Sequence, residues 1–497
     1  MNARLDAVRR VWAERADARS GSELLYLVYL VVLGAALLGI PLTLFAATAL
    51  ARPDVLPALV DAWVGTRPLG VLLAGCAVAV IAGSVLGPAV LPPFLTEVFV
   101  GSDLPRRRTL GRPFARSVAL GGLIGAVLGA LVGLALRTGG AVAGAGPAAL
   151  AVVGVGVLFL LVAAWLLGMV LAPRPRVLLA LVLAVPGGVL VLTAGGAPLV
   201  LGPLGTAVMA AIGVLAVVLG VPLLERIRGG VLREQASRQE NATMIATGGD
   251  LAGAAAEFRP LPSTCRRLPA IGSRGILAAL PILVRDAALY LRRDAVGWLR
   301  TPGRTAAGVL GAVLGAAVSV PGLTLSGLPG VTLTAAGAML VWWSTGAFVD
   351  GVRHGVETLG APTLYGHGIT RQLALHLAAP TLLTAAVCAF GAVVAGGGGL
   401  GAVAVVCLGV MGVLERIWAA AKGPIPLWIA TPMPTAQGDA SLIPQIMWHG
   451  DALWCILTVA FVLAWAQGQG VVTLVVAVAA TIATLLAMGA KRIAALR

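Results

Sequence analysis

Apolar runs of about 20 residues, each closed by a polar or proline-rich stretch, recur from one end of the chain to the other. A helix needs about 20 mostly apolar residues to cross a bilayer core. By that measure twelve spans are predicted. Six fall in the first half, over residues 24–49, 69–95, 116–136, 149–172, 177–194 and 199–223. Six fall in the second, over 305–325, 331–350, 373–396, 399–421, 448–466 and 470–490. The fifth carries Pro186, Gly187 and Gly188 in mid-run, which is the pattern of a broken or re-entrant segment. The run from Leu24 to Leu50 is well beyond the roughly 7–15 apolar residues of a signal peptide and reads as a span.

The longest polar interruption, Leu224 to Arg304, separates two halves that read alike. The predicted domains are an N-terminal membrane half over 1–223, a cytoplasmic linker over 224–275 and a C-terminal membrane half over 276–497. Toward the end of the interruption, Val284, Ala288, Leu291, Ala295 and Trp298 recur at helical spacing. Arg285, Asp286, Arg292, Arg293, Asp294 and Arg300 take the other positions. This predicts an amphipathic helix lying in the membrane interface, which Pro302 and Gly303 end; a solvated linker helix has the same pattern. Each half opens with a charged stretch carrying one Trp (Trp12 and Trp298), enters a helical pair and shows a polar loop before its third helix. The repeated layout of six and six predicts a parallel repeat.

Composition narrows the class. Of 497 residues 59% are apolar and 11% charged, too little polar surface for a soluble globule. The net charge of +15 would suit a nucleic-acid partner only if the basic residues clustered with stacking or groove-reading groups. Instead they sit between apolar runs as topology signals. With the N-terminus inside, Arg52, Arg67 and Arg137 are the only basic residues assigned outside among the 35 Lys and Arg. That asymmetry satisfies the positive-inside rule and places both termini in the cytoplasm of a multi-pass plasma-membrane protein. Five cysteines without CxxC spacing indicate neither a disulfide framework nor a metal site.

Chemistry of the chain's own is hard to find. Lys422 and Lys491 are the only lysines, and neither follows Gly and precedes Ser or Thr, so no phosphate-binding P-loop is encoded. The acids Glu97, Asp350 and Glu415 are placed at inner helix ends, which leaves the interior uncharged and without the ionisable relay of an ion-driven carrier. His354, His367, His376 and His449 form no HExxH pattern. Asp54 and Asp61, seven apart in one outer loop, are the thin basis for an integral-membrane transferase. Glycines at 121, 125, 129 and 133 give a small-xxx-small ladder for close helix packing.

The stretch RDAALYLRRDAVGWLRTPGR, a polar loop leading to ITRQLALHLAAP, and TPMPTAQGD before a Trp-bearing helix resemble the permease subunits of bacterial ABC-2-type exporters, in a large, about twelve-helix form. The resemblance covers most of the second half and, by repeat, part of the first. It implies elbow helices over 5–19 and 280–300, marked by Trp12, Arg285, Asp286, Arg292, Arg293 and Trp298. It also implies short coupling helices over Ser102–Phe114 and Val356–Ile369. The residues implied for docking on ATPase subunits are Leu104, Pro105, Arg106, Arg107, Arg108 and Arg112, and then Pro362, Leu364, Tyr365, His367 and Arg371. The expected fold is an all-α polytopic bundle of two pseudo-repeated six-helix halves, ABC-2-type transporter-like. The expected activity is transport of an amphipathic or lipid-like substrate, with ATP and Mg held by a partner ATPase, in two copies, and no cofactor, metal or catalytic residue in this chain. A non-transport scaffold or assembly factor is the alternative.

Overall fold

In the computed structural model the described residues are 7, 10–11, 21–53, 55–61, 65–141, 146–193, 203–247, 253–254, 257–258, 281–325, 327–358, 368–423, 425–431, 433–435, 438–439 and 441–495. Their regular secondary structure is helical, apart from a hairpin of two-residue strands, Pro434–Thr435 and Gly438–Asp439. The chain divides into two compact units, Met1–Gly248 with Gly253–Phe258, and Gly249–Ala252 with Arg259–Arg497.

In the first unit α1 (Gly21–Gly34) runs through one π turn, Ala35–Gly39, into α2 (Ile40–Leu50). After a short α3 (Leu56–Asp61) come α4 (Arg67–Ala82), α5 (Pro93–Val100), α6 (Arg106–Thr138), α7 (Gly146–Val170), α8 (Pro173–Leu192), α9 (Pro203–Leu223) and α10 (Gly229–Thr247). The second unit holds α11 (Ile282–Arg300), α12 (Pro302–Thr324), α13 (Gly327–Thr345), α14 (Asp350–Glu357), α15 (Ile369–Val394) and α16 (Gly399–Ala420). It closes with α17 (Leu427–Ala430), α18 (Leu442–His449), α19 (Asp451–Gly468) and α20 (Val471–Ala495).

Ten helices among the described residues are long and apolar enough to cross a membrane, or eleven if α13 and α14, bent by 65° at their junction, form one span. The chain is thus a polytopic helical membrane protein, but the count of twelve full spans needs correction. The two that fall short hold the same place, second in each half. α4 has only 16 residues and stops at Ala82, because the stretch Gly83–Pro92 contains Pro88 and Pro92 and cannot continue a helix. The chain restarts at Pro93, whose missing N–H costs nothing at the first helical position. α13 likewise yields at Gly346–Val349 before α14. The fifth predicted span, by contrast, is unbroken: α8 runs through Pro186 for 20 residues. Gly187 there is explained by packing, since a Cβ on it would stand 2.8 Å from the Gly70 carbonyl oxygen of α4.

Glycine lets the helices close up. On α6, a Cβ at Gly125 would stand 2.3 Å from the Gly154 carbonyl oxygen of α7, and one at Gly129 2.1 Å from that of Leu150. The ladder read in the sequence is therefore the α6–α7 seam. Each unit pairs its helices in its own bundle: α2 with α6, α4 with α7 and α8, α6 with α7, and α7 with α9 in the first. In the second, α12 packs with α15, α13 with α16 and α19, α15 with α16, and α16 with α20. The second unit buries the larger core, around Val341, Cys388, Leu408, Met411, Ile456 and Leu463. Large apolar side chains such as Leu123, Leu181, Leu219, Phe390 and Val472 stay exposed, the surface expected of helices solvated by lipid.

Candidate functional site

Polar chemistry gathers at one end of each unit, the end where α4, α7 and α9 finish and α6 and α8 begin, and where α13, α16 and α20 finish and α12, α15 and α19 begin.

In the first unit the gap between α4 and α5 is filled from α10. Gln235 is buried, its Oε1 accepting from the Gly87 amide at 2.9 Å and its Nε2 donating to the Gly83 carbonyl at 3.0 Å. Trp165 Nε1 donates to Leu86 O at 2.6 Å and Ser117 Oγ to Pro88 O at 2.7 Å. The backbone groups freed by the helix break are thus taken up by side chains, as burial in an apolar bundle requires. Arg233 Nε on α10 donates to Glu97 on α5 at 3.0 Å. Glu225, in the 3₁₀ turn Leu224–Arg226, accepts from the amides of Arg106 and Arg107 at 2.9 and 3.2 Å. A carboxylate there satisfies two of the first amides of α6 and complements its dipole.

In the second unit the amphipathic helix α11 docks by its acidic side. Asp286 and Asp294 are buried, as are Tyr290 and Val296, while Val284 is exposed. This corrects the expectation that its charged face is the solvated one; the acids face partners on α15. His376 of α15, fully buried, has Nδ1 3.1 Å from both oxygens of Asp294. Arg293 approaches His376 Nε2 at 3.5 Å, and Tyr290 meets its ring edge-on with centroids 4.6 Å apart. The start of α14 comes so close that a Cβ on Gly351 would stand 2.4 Å from His376 Nδ1 and 2.5 Å from Asp294 Oδ1. Arg371 pairs with Asp286 at 3.1 Å, and Arg304 with Asp350 at 2.5 Å.

Two further clusters lie nearby. Asp451 at the start of α19 takes Lys422 after α16 at 2.7 Å and Arg492 near the end of α20 at 2.7 Å, tying three helix ends together. Arg492 also lies over the Trp418 ring at 3.8 Å. Five residues before the end of α16, Glu415 is fully buried; its Oε2 accepts from Trp342 Nε1, and its Oε1 has no hydrogen-bond partner among the described residues. Arg416 lies over the Trp342 ring at 3.9 Å and donates to Trp342 O. The interior of the second unit therefore holds an ionisable group, where the sequence reading placed Glu415 at a helix end and left the interior uncharged.

The predicted coupling and elbow residues fare as follows. Leu104 packs on Leu95 and Phe99, and Pro105 caps α6. Arg106, Arg107, Arg108 and Arg112 belong to the first turns of α6 itself, so no separate short helix spans Ser102–Phe114; the short helix before the third span is α5. Of the second loop Arg371 opens α15, while Pro362, Leu364, Tyr365 and His367 lie outside the described residues, as does Trp12. On α11, Trp298 Nε1 donates to Phe348 O at 3.1 Å across the α13–α14 bend, Arg293 reaches His376, and Arg285 and Arg292 are half-buried. Asp54 and the side chain of Asp61 also fall outside the described residues. Gln235, the Asp294–His376 pair and the Asp451 hub were not singled out from sequence. A lone Glu inside GVMGVLERIWAA is the one signal that marks such a residue in advance. Among the described residues, no group of three or more His, Cys, Asp and Glu stands close enough to hold a metal ion.

No family model, curated protein or solved structure matches this chain.

Proposed function

We infer that this chain is the membrane subunit of an exporter driven by separate ATPases, moving an amphipathic or lipid-like substrate, with the charged ends of both units in the cytoplasm. The observation that carries the reading is a lever present twice. In each unit the second span falls short and continues, through a bend or gap at the charged end, into a short helix that precedes the third span. α5 is held by the polar helix α10 through the Arg233–Glu97 ion pair. α14 packs on the amphipathic helix α11, whose Trp298 donates to Phe348 O just before it, and its first residue Asp350 pairs with Arg304 at the start of α12. Five helix pairings also recur at matching ordinal positions in the two units. Together these support a two-fold repeat of six-helix halves, in which a push on α5 and α14 tilts the second and third spans. A machine of this kind needs two packings of similar stability and an outside source of free energy.

Purification of the full chain from its native membrane tests this. The expected result is co-purification of a P-loop ATPase whose hydrolysis falls when Arg233 or Glu97, which hold α5, is replaced. A scaffold would bring down no such ATPase, and that outcome rejects the reading. Glu415 favours a second one, a carrier that draws on an ion gradient, because ionisable groups inside a membrane bundle mark ion paths. Transport that survives in Glu415→Gln but stops without the ATPase decides for the first.

A further inference from the structure

An apolar groove of about 270 Å³ lies between α6 and α9 of the first unit, lined by Gly111, Phe114, Ala115, Val118, Val217 and Val221. Its walls merge with helix faces that are already exposed and apolar: Leu120, Leu123 and Val127 on α6, and Val214, Val218 and Leu219 on α9. These are the surfaces that lipid chains cover in a spanning bundle. α6 is much longer than a crossing requires. Its 33 residues extend about 50 Å against a hydrocarbon core of about 30 Å, so its first turns reach into the headgroup layer.

Those turns are basic. Arg107 and Arg108 precede Gly111 by four and three residues, which puts them on the groove's face one turn toward the charged end. Arg112 and Arg116 flank them, and Arg226 and Arg228 follow where α9 ends; all six are exposed. The Glu225 carboxylate at this rim is already taken by the amides of Arg106 and Arg107, with the Arg107 side chain at 3.6 Å. An apolar slot at bilayer depth, capped by arginines at headgroup depth, complements one molecular class on both counts.

We propose that the α6–α9 groove is a binding site for an anionic phospholipid of the leaflet at the charged end, one acyl chain seated over Gly111 and Ala115 and the phosphate held by Arg107 and Arg108. The site does not depend on what drives the chain, so a protein without an ATPase partner would keep it.

The full chain, purified in detergent and delipidated, is titrated with dioleoylphosphatidylglycerol or dioleoylphosphatidylcholine, and bound lipid is counted by native mass spectrometry. Phosphatidylglycerol is expected to bind roughly tenfold more tightly than phosphatidylcholine. Replacing Arg107 and Arg108 together by Gln brings the two lipids level. Gly111→Leu fills the slot and abolishes the retained lipid. That variant is expected to fold as well as wild type, because a Cβ at Gly111 meets nothing within 4 Å and Gly is the weaker helix former; an unfolding temperature no lower than that of wild type verifies it. Equal binding of the two lipids overturns the proposal, and so does retention of phosphatidylglycerol by Gly111→Leu. Full competition by inorganic phosphate would mean a free-anion site instead. A dimer that Gly111→Leu dissociates would mean that a second copy covers the groove. Either result also overturns it.

Discussion

His376 and Asp294 meet across two helices, Nδ1 at 3.1 Å from each carboxylate oxygen, and neither side chain reaches solvent. A guanidinium only donates, so Arg293 leaves Nε2 of the histidine as the acceptor and Nδ1 as the donor to Asp294. The amphipathic helix α11 is thereby fixed to the third span of its unit through a buried polar contact, beside the Asp286–Arg371 pair. Removing one member leaves the other buried without its partner, at a cost of about 3–5 kcal/mol. Asp294→Ala and His376→Ala are each expected to lower thermal stability in detergent substantially. The double variant should be little worse than either single one, as a double-mutant cycle over four unfolding curves will show. Additive losses would mean that the two side chains do not act on each other.

Gly351 tests the same junction from the third side. A Cβ there would come within 2.5 Å of both polar partners, which are themselves buried. Gly351→Ala is expected to destabilise about as much as His376→Ala. Gly355→Ala, one turn on, meets only the end of the Leu373 side chain at 3.0 Å and should cost far less. Unfolding temperatures of the two variants, measured side by side, check the contrast.

Why this junction escaped the sequence is instructive. The period of α11 was legible, and so was its charge, but the rule that the polar face of an amphipathic helix is the wet one points the wrong way here. Asp286 and Asp294 find Arg371 and His376 some 80 residues later, a pairing no local pattern carries. The shortened second spans were hidden for a related reason. Hydropathy sums over Gly83–Pro92 as readily as over a helix, and the break appears only once Pro88 and Pro92 are weighed as helix stops. Gln235 looked like part of a solvated linker because it is polar, whereas its burial is what closes that break. The glycine ladder of α6, set by local spacing, was readable in full.

The α6–α7 seam gives a paired prediction. Gly125→Ala places a methyl 2.3 Å from a backbone carbonyl of α7, so the helices must part or shift. A loss of about 1–3 kcal/mol is expected, in the range of overpacked cores. Gly111→Ala, on the same helix but facing open space, should instead gain up to about 1 kcal/mol from helix propensity. Opposite signs from the same Gly→Ala change, read by thermal unfolding, would separate packing from propensity.

The Asp451 hub ties the second, acid-centred prediction to three helix ends. Asp451 accepts Lys422 and Arg492, and each of the three side chains keeps only a sixth to a fifth of its exposure. Asp451→Asn retains two acceptor contacts in part, while Asp451→Ala leaves two cations crowded at one helix start. The Ala variant is expected to lose about 2–3 kcal/mol, somewhat less than a fully buried pair because water still reaches the cluster. The Asn variant should recover part of that loss. If the two variants unfold together at the wild-type temperature, the hub contributes nothing.

Topology is the claim on which the functional reading leans most, and it can be read directly. The ion pairs place the ends of α9, α13, α16 and α20 and the starts of α6, α12 and α19 on one side of their units, the side rich in arginine. In the proposed reading that side is the cytoplasmic one, as the positive-inside rule expects. In a variant lacking native cysteines, single cysteines are introduced at Ala141, Ala395 and Gln469, all exposed at the opposite helix ends, and at Arg112, Glu357 and Lys491, all exposed at the charged ends. Intact cells treated with a membrane-impermeant maleimide should label the first three and spare the last three until they are permeabilised. Labelling of Arg112→Cys from outside would invert the first unit and expose its basic turns to the exterior, where no ATPase could push on α5. Labelling of Ala141→Cys but not Ala395→Cys would set the two units in opposite senses and reject the proposed parallel repeat.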